Sequence, residues 1–191
     1  MGDPAWIGTR GGLCLGGLLR LSFQRYLALG PLASAPSSLG ALPVAAATDE
    51  EGLFLVPMHE GEAAWLGLLR EPAGEGVALK GIGGTGAGGR DLVTGAPCPL
   101  ASATPLPGGR IHLLPGVPMG DGLHAPFAPA RTGRRDPVCP TLVFAAWPPG
   151  GAEGLVARIE LVPPDRYAGR TGEPPPPPAD PDSGYQGWLL P

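Results

Sequence analysis

Four charged residues spread along the chain could line one small-ligand pocket: Glu62, Lys80, Asp91 and Asp121. Carboxylates act as general acids or bases, and a lysine amine acts as a base or forms a Schiff base, once burial has shifted its pKa. Trp65, close to Glu62, could add a flat surface for a ligand, although a core position is the competing interpretation. An enzyme or ligand-binding protein would require these side chains to converge on one concave site.

Metal chemistry is not favoured by the spacing of the histidines. His59-Glu60-Gly61-Glu62 lacks the two histidines that a zinc-protease helix places four residues apart, and His112 and His124 stand far away. We therefore predict no metal site, no catalytic residue and no cofactor.

The cysteines are odd in number and widely spaced: Cys14, Cys98 and Cys139. Without a CxxC pair they indicate neither a zinc ribbon nor a redox dithiol. Three buried thiols in a reducing cytoplasm are the preferred interpretation, and one disulfide with a free thiol is the alternative.

The segment Gly81-Ile82-Gly83-Gly84-Thr85-Gly86 matches the dinucleotide-binding pattern G-x-G-x-x-G. That pattern requires a helix directly after the glycines, and Ala87-Gly88-Gly89-Arg90 is unsuited to begin one. The segment is therefore expected to be a hairpin loop.

Charge and hydropathy exclude two classes of partner. The formal net charge is −4, and the densest basic cluster (Arg131, Arg134 and Arg135) is too small to predict nucleic-acid binding. The apolar stretch 13–29 is interrupted by Arg20 and Arg25, so no membrane span is expected and the cytoplasm is the default location.

The elements that would position these residues are short strands. The chain of 191 residues contains 33 glycines and 27 prolines, which disfavour long helices. Residues 141–147 and 155–162 are strand-like and flank a Pro-Pro-Gly-Gly turn, which predicts a hairpin. We predict a mainly β fold: a sandwich or partly open barrel of short antiparallel strands with long Gly/Pro loops.

Three regions are expected along the chain: an N-terminal arm (1–12), a β domain (13–163) and a proline-rich C-terminal arm (164–191). Residues 174–178 are five prolines, which favour a stiff polyproline II spacer. Beyond them, Tyr185, Trp188, Leu189 and Leu190 could dock on a protein partner. The arm could equally pack back on its own domain.

Several short motifs follow one another over roughly residues 20–122: Phe23-Gln24-Arg25-Tyr26-Leu27, Leu39-Gly40-Ala41-Leu42-Pro43, Pro57-Met58, Glu62-Ala63-Ala64-Trp65-Leu66, Leu79-Lys80, Asp91-Leu92-Val93-Thr94-Gly95 and 114–122. In this colinear order they resemble the pattern of an uncharacterised family of bacterial proteins. Met119 stands where that family has Trp, the glycine loop is longer, and the pattern does not extend past residue 123. The resemblance implies no activity.

The sequence thus favours a non-catalytic binding or assembly subunit that docks on a protein partner, or on another copy of itself, through its loops and C-terminal arm. The alternative is a small-ligand protein or enzyme with a pocket around Glu62, Lys80, Asp91 and Asp121.

Overall fold

The computed structural model describes residues 5–27, 30–85, 88–129, 137–148 and 153–183. Two six-stranded sheets hold most of the core, which is formed by leucine, valine, alanine and phenylalanine side chains. The fold is mainly β, and in the described residues the two sheets resemble a sandwich and do not close into a barrel. The predicted fold class is confirmed in its sandwich form.

The first sheet consists of β1 (Trp6–Thr9), β2 (Gly12–Leu15), β3 (Leu19–Leu27), β4 (Ala41–Leu42), β7 (Glu62–Arg70) and β10 (Ile111–Leu114). Its strand order is β1-β2-β3-β7-β10, with β4 also paired to β3. Strands β3 and β7 are its longest pair and run antiparallel from Leu19↔Arg70 to Leu27↔Glu62.

The second sheet consists of β5 (Ala45–Ala46), β6 (Leu53–Pro57), β8 (Ala78–Thr85), β9 (Gly88–Asp91), β13 (Thr141–Trp147) and β14 (Leu155–Val162). Its strand order is β5-β6-β14-β13-β8-β9. The pair β6–β14 is parallel, whereas the other pairs are antiparallel, so this sheet is mixed. The expected hairpin corresponds to the antiparallel pair β13–β14.

The remaining elements are small. Strands β11 (Val117–Gly120) and β12 (Leu123–Ala125) form a hairpin, and single 3-10 turns cover Pro72–Gly74, Leu100–Ser102 and Pro181–Ser183. Helix α1 (Pro164–Thr171) packs on β6 through its buried Tyr167 and ends at Gly172, whose φ of 74° is the left-handed conformation that glycine favours. No helix in the described ranges is long and apolar enough to cross a membrane.

Both segments expected as arms contribute regular structure. Within 1–12, β1 pairs with β2, and the Trp6 indole Nε1 donates to the Leu155 carbonyl of the second sheet at 2.9 Å. Within 164–191, α1 covers the first eight residues.

The glycine segment differs from the expected loop, because its first glycines lie inside β8. A Cβ atom on Gly81 would come within 2.7 Å of Leu92 and Phe144 side-chain atoms. These glycines therefore allow neighbouring side chains to pack directly against the strand.

Candidate functional site

Glu62 is the first residue of β7 and lies beside Arg25 of the neighbouring strand. In the β3–β7 register, Glu62 opposes Leu27 and Ala64 opposes Arg25, so both charged side chains project from one face of the sheet. The preceding Gly61 has a φ of 83°, a turn conformation that brings the chain into β7.

The Glu62 carboxylate is buried, with 1% of its side chain exposed, and both of its oxygens are used. Oε2 accepts a hydrogen bond from the His59 backbone N–H at 2.9 Å. Oε1 accepts one from the Ala179 backbone N–H at 2.6 Å and lies 3.7 Å from Nη1 of Arg25. Glu62 therefore connects the sheet to the C-terminal tail.

Two further side chains hold the same tail. Arg25 Nη1 donates to the Pro177 carbonyl at 2.7 Å, and His59 Nε2 lies 2.8 Å from the Pro176 carbonyl. A carbonyl can only accept, so Nε2 of His59 carries the proton in this contact. We call Arg25, His59 and Glu62 the tail clamp.

Helix α1 precedes the tail and is held to the domain at its C-terminal end. Arg170 at the end of the helix forms an ion pair with Asp49 at 2.8 Å, and its carbonyl accepts a hydrogen bond from the Thr48 N–H. The chain then turns at Gly172 and reaches the clamp within a few residues. Residues 176–179 of the arm thus contact the domain of their own chain.

Lys80 and Asp91 lie on the second sheet and hold one connecting segment. Lys80 Nζ donates to the Ala101 carbonyl at 2.7 Å and lies 5.7 Å from the Trp147 ring centre, within cation–π range. Asp91 Oδ2 accepts from the Thr104 N–H at 2.5 Å. Both side chains thus fasten residues 101–104 to the sheet.

Asp91 is buried, and its second carboxylate oxygen closes a turn. Oδ1 accepts hydrogen bonds from the N–H groups of Val93 and Thr94 at 2.7 and 2.9 Å. Burial raises the pKa of Asp91, but the hydrogen bonds from Thr104, Thr94 and Val93 outweigh it and leave the pKa below its usual value. These contacts make Asp91 a structural anchor of its loop.

The other two candidates lie elsewhere. Asp121 is exposed in the turn between β11 and β12, with a φ of 52°. Trp65 is buried in the main core on the face of β7 opposite to Glu62, beside Gln24. The structure therefore brings Lys80 and Asp91 to one segment and places Glu62, Trp65 and Asp121 at three other positions.

The predicted docking residues Tyr185, Trp188, Leu189 and Leu190 lie outside the described residues, as does the cluster Arg131, Arg134 and Arg135.

Within the described ranges, no group of three or more His, Cys, Asp or Glu side chains could hold a metal ion. The three cysteines are free thiols, of which Cys139 is buried and the other two are half-buried.

A separate cleft of about 530 Å³ lies between the end of β7 and the start of β10. Its lining includes Arg70, Glu75, Val77, Leu106 and Arg110. The Arg70 guanidinium is buried, and it donates to the Val77 carbonyl at 2.7 Å. Burial lowers the pKa of Arg70. None of the five candidate ligand residues lines this cleft.

Two clamp residues, Arg25 and His59, were not among the site residues predicted from the sequence. A signal for Arg25 was present: it continues the alternation of Leu19, Leu21 and Phe23, so it occupies a core-facing position of the strand. A charged residue at such a position needs a partner, because an unpaired buried charge is costly. His59 gave no comparable signal, since its contact is made 117 residues later in the chain.

No protein-family model, no curated protein and no solved structure matches this chain.

Proposed function

We propose that this protein is a non-catalytic assembly subunit that docks on a protein partner, or on another copy of the chain, through its C-terminal segment. The observation that carries the proposal is the hydrogen bond from the Ala179 N–H to the buried Glu62 carboxylate. It gives the proline-rich segment a fixed exit point on the domain. Three free thiols favour a reducing compartment, the cytoplasm.

A fixed exit point restricts where the chain end can act. Tyr185 follows Ala179 by six residues, a reach of at most about 20 Å when fully extended. Fastening a docking segment close to a rigid domain lowers the entropy that binding must overcome. Tyr185 and Trp188 are of the two aromatic types that are enriched among the anchor residues of protein interfaces. Leu189 and Leu190 add apolar surface that binding could bury.

The contacts of the charged candidates also support a non-catalytic role. Glu62 and Asp91 use both carboxylate oxygens for backbone N–H groups of their own chain. Lys80 is bonded to the Ala101 carbonyl. These groups hold loops and the tail in place.

The experiment compares the full chain with the double variant Trp188→Ala/Leu189→Ala. Molar mass is measured by light scattering over a hundredfold range of protein concentration, and the partner recovered from a lysate is purified and bound again in isolation. Pro174→Ala, an exposed change on the same tail, is the matched control. We expect the double variant to lose self-association or partner binding at least tenfold, with the control unchanged. A full chain that stays monomeric and binds the partner equally with and without Trp188 and Leu189 would refute the proposal.

A further inference from the structure

The tail clamp holds the tail through three contacts with its main chain. His59 and Arg25 face the carbonyls of Pro176 and Pro177, and Glu62 faces the N–H of Ala179. Proline-rich chains expose their carbonyls in this way, because polyproline II has no internal hydrogen bonds. The contacts therefore select a backbone shape and a position for one N–H group, rather than the side chains of this particular tail.

We propose that the tail clamp is a binding site for proline-rich segments, and that residues 174–179 are its intramolecular occupant. The segment it fits has two consecutive residues with free carbonyls and, two positions after the second, a residue other than proline. In this chain those positions are Pro176, Pro177 and Ala179. The inference does not depend on what Tyr185 and Trp188 bind, so it can stand if the proposed function fails.

Burial and charge explain why an emptied clamp would take up another segment. With the tail in place, 1% of the Glu62 side chain and 13% of the Arg25 side chain are exposed. Departure of the tail removes one donor from Glu62 Oε1 and one acceptor from Arg25 Nη1. Partly desolvated charged groups that lose hydrogen-bond partners favour any ligand that restores them.

The tail is at the same time a competitor for its own site. A tethered ligand acts at a high effective concentration, so a free peptide binds only to the fraction of molecules whose tail has left. The apparent dissociation constant of a free peptide is therefore raised by the reciprocal of that fraction. Weakening the tail in cis should expose the clamp without changing any residue of the clamp itself.

The full-length variant Ala179→Pro supplies this change, because proline has no N–H to donate to Glu62. The probe is a fluorescently labelled peptide that copies residues 173–180, and binding is read by anisotropy. We expect the peptide to bind Ala179→Pro at least tenfold more tightly than the wild type. Ala179→Ser keeps the N–H and is the matched control, with wild-type behaviour expected.

Specificity is tested by changing first the clamp and then the peptide. Glu62→Gln or Glu62→Asp, placed in the Ala179→Pro protein, should abolish the gain: the first removes the charge, and the second keeps it but shortens the side chain by one methylene. A peptide with Pro in place of its Ala should not bind. The proposal is overturned if folded Ala179→Pro protein, checked by circular dichroism, gains no peptide binding over wild type, or if the gain persists in both Glu62 variants.

Discussion

The backbone N–H of Ala179 donates to the carboxylate of Glu62 across 117 residues of chain, at 2.6 Å. The acceptor is buried at the start of β7, and the donor follows a run of five prolines. A proline run cannot add to a sheet, because it lacks N–H donors. The attachment of the tail therefore depends on side chains of the domain. Glu62 is central to it, because one carboxylate oxygen contacts both the tail N–H of Ala179 and the side chain of Arg25.

Glu62→Ala should release the tail and destabilise the domain. The substitution leaves the N–H groups of His59 and Ala179 without their acceptor and leaves Arg25 without its ion-pair partner. Unsatisfied buried groups and broken buried pairs cost about 2–4 kcal/mol of unfolding free energy. Urea denaturation measures the cost, and limited proteolysis within residues 173–183 reports release of the tail.

Glu51→Ala is the control for that change, because it removes an exposed carboxylate from a surface turn. Surface substitutions of this kind change the free energy of unfolding by less than about 0.5 kcal/mol. Equal effects of the two substitutions, or an intact tail in Glu62→Ala, would contradict the role of Glu62.

Strand patterns and turn chemistry allowed much of the fold to be predicted. The β13–β14 hairpin follows from two apolar segments around a Pro-Gly turn, and Trp65 takes the core position that was one of its two interpretations. The clamp could not be predicted, because its contacts join residues 117 and 152 positions apart. Periodicity reports which face a residue occupies, and only the folded chain decides which distant segment reaches that face.

The glycine segment 81–86 was predicted as a loop because a sequence pattern does not show the tertiary packing around it. Glycine has a low strand propensity when it is judged alone. In the fold, Gly81 and Gly83 lie in β8, where the neighbouring Phe144 and Cys139 side chains occupy the space that a Cβ would need. Tertiary packing overrode local preference at these positions.

Asp91→Asn should destabilise the protein by about 1–3 kcal/mol, because the amide group turns one acceptor into a donor that faces a backbone N–H. Each Asp91 oxygen accepts at least one such bond. Asp121→Asn is the matched control: Asp121 is exposed at a φ of 52°, a conformation that Asn tolerates. Thermal unfolding of both variants should show a loss for Asp91 alone, and similar losses would argue against the anchor.

The stabilisation by Asp91 should disappear in acid. Its pKa is lower in the folded protein than the usual value of about 3.9, so its contribution is complete above that pH and is lost as the pH falls through the folded pKa. The difference in unfolding free energy between wild type and Asp91→Asn should be constant from about pH 7 to 5 and should shrink below about pH 4. A difference that stays constant in acid would show that the charge is irrelevant.

The thiols should react in two stages. Burial raises the pKa of Cys139 to about 12, whereas Cys14 and Cys98 are half-buried free thiols. The thiolate is the nucleophile that attacks a disulfide reagent and releases the other half of the reagent as a thiolate. Cys14 and Cys98 should therefore react in the native protein, and Cys139 only after unfolding. Cys139→Ala should remove the slow stage, and fewer than three thiols in the unfolded, unreduced chain would reveal a disulfide.

Gly83→Ala tests the packing that places glycines inside β8. The added Cβ would lie 2.6 Å from Cys139 Sγ and 2.9 Å from Val117 Cγ2, so the core must shift at a cost of about 1–3 kcal/mol. Cys139→Ala removes the nearer atom, and the double variant should therefore be more stable than the sum of the two single changes by about 1 kcal/mol. Gly169→Ala is the control, because Gly169 lies inside α1 with no atom within 4 Å of its Cβ position, and it should stabilise by about 0.5–1 kcal/mol. Denaturation curves of the four proteins in the cycle give the coupling directly, and strict additivity would mean that Cys139 is not what excludes a side chain at position 83.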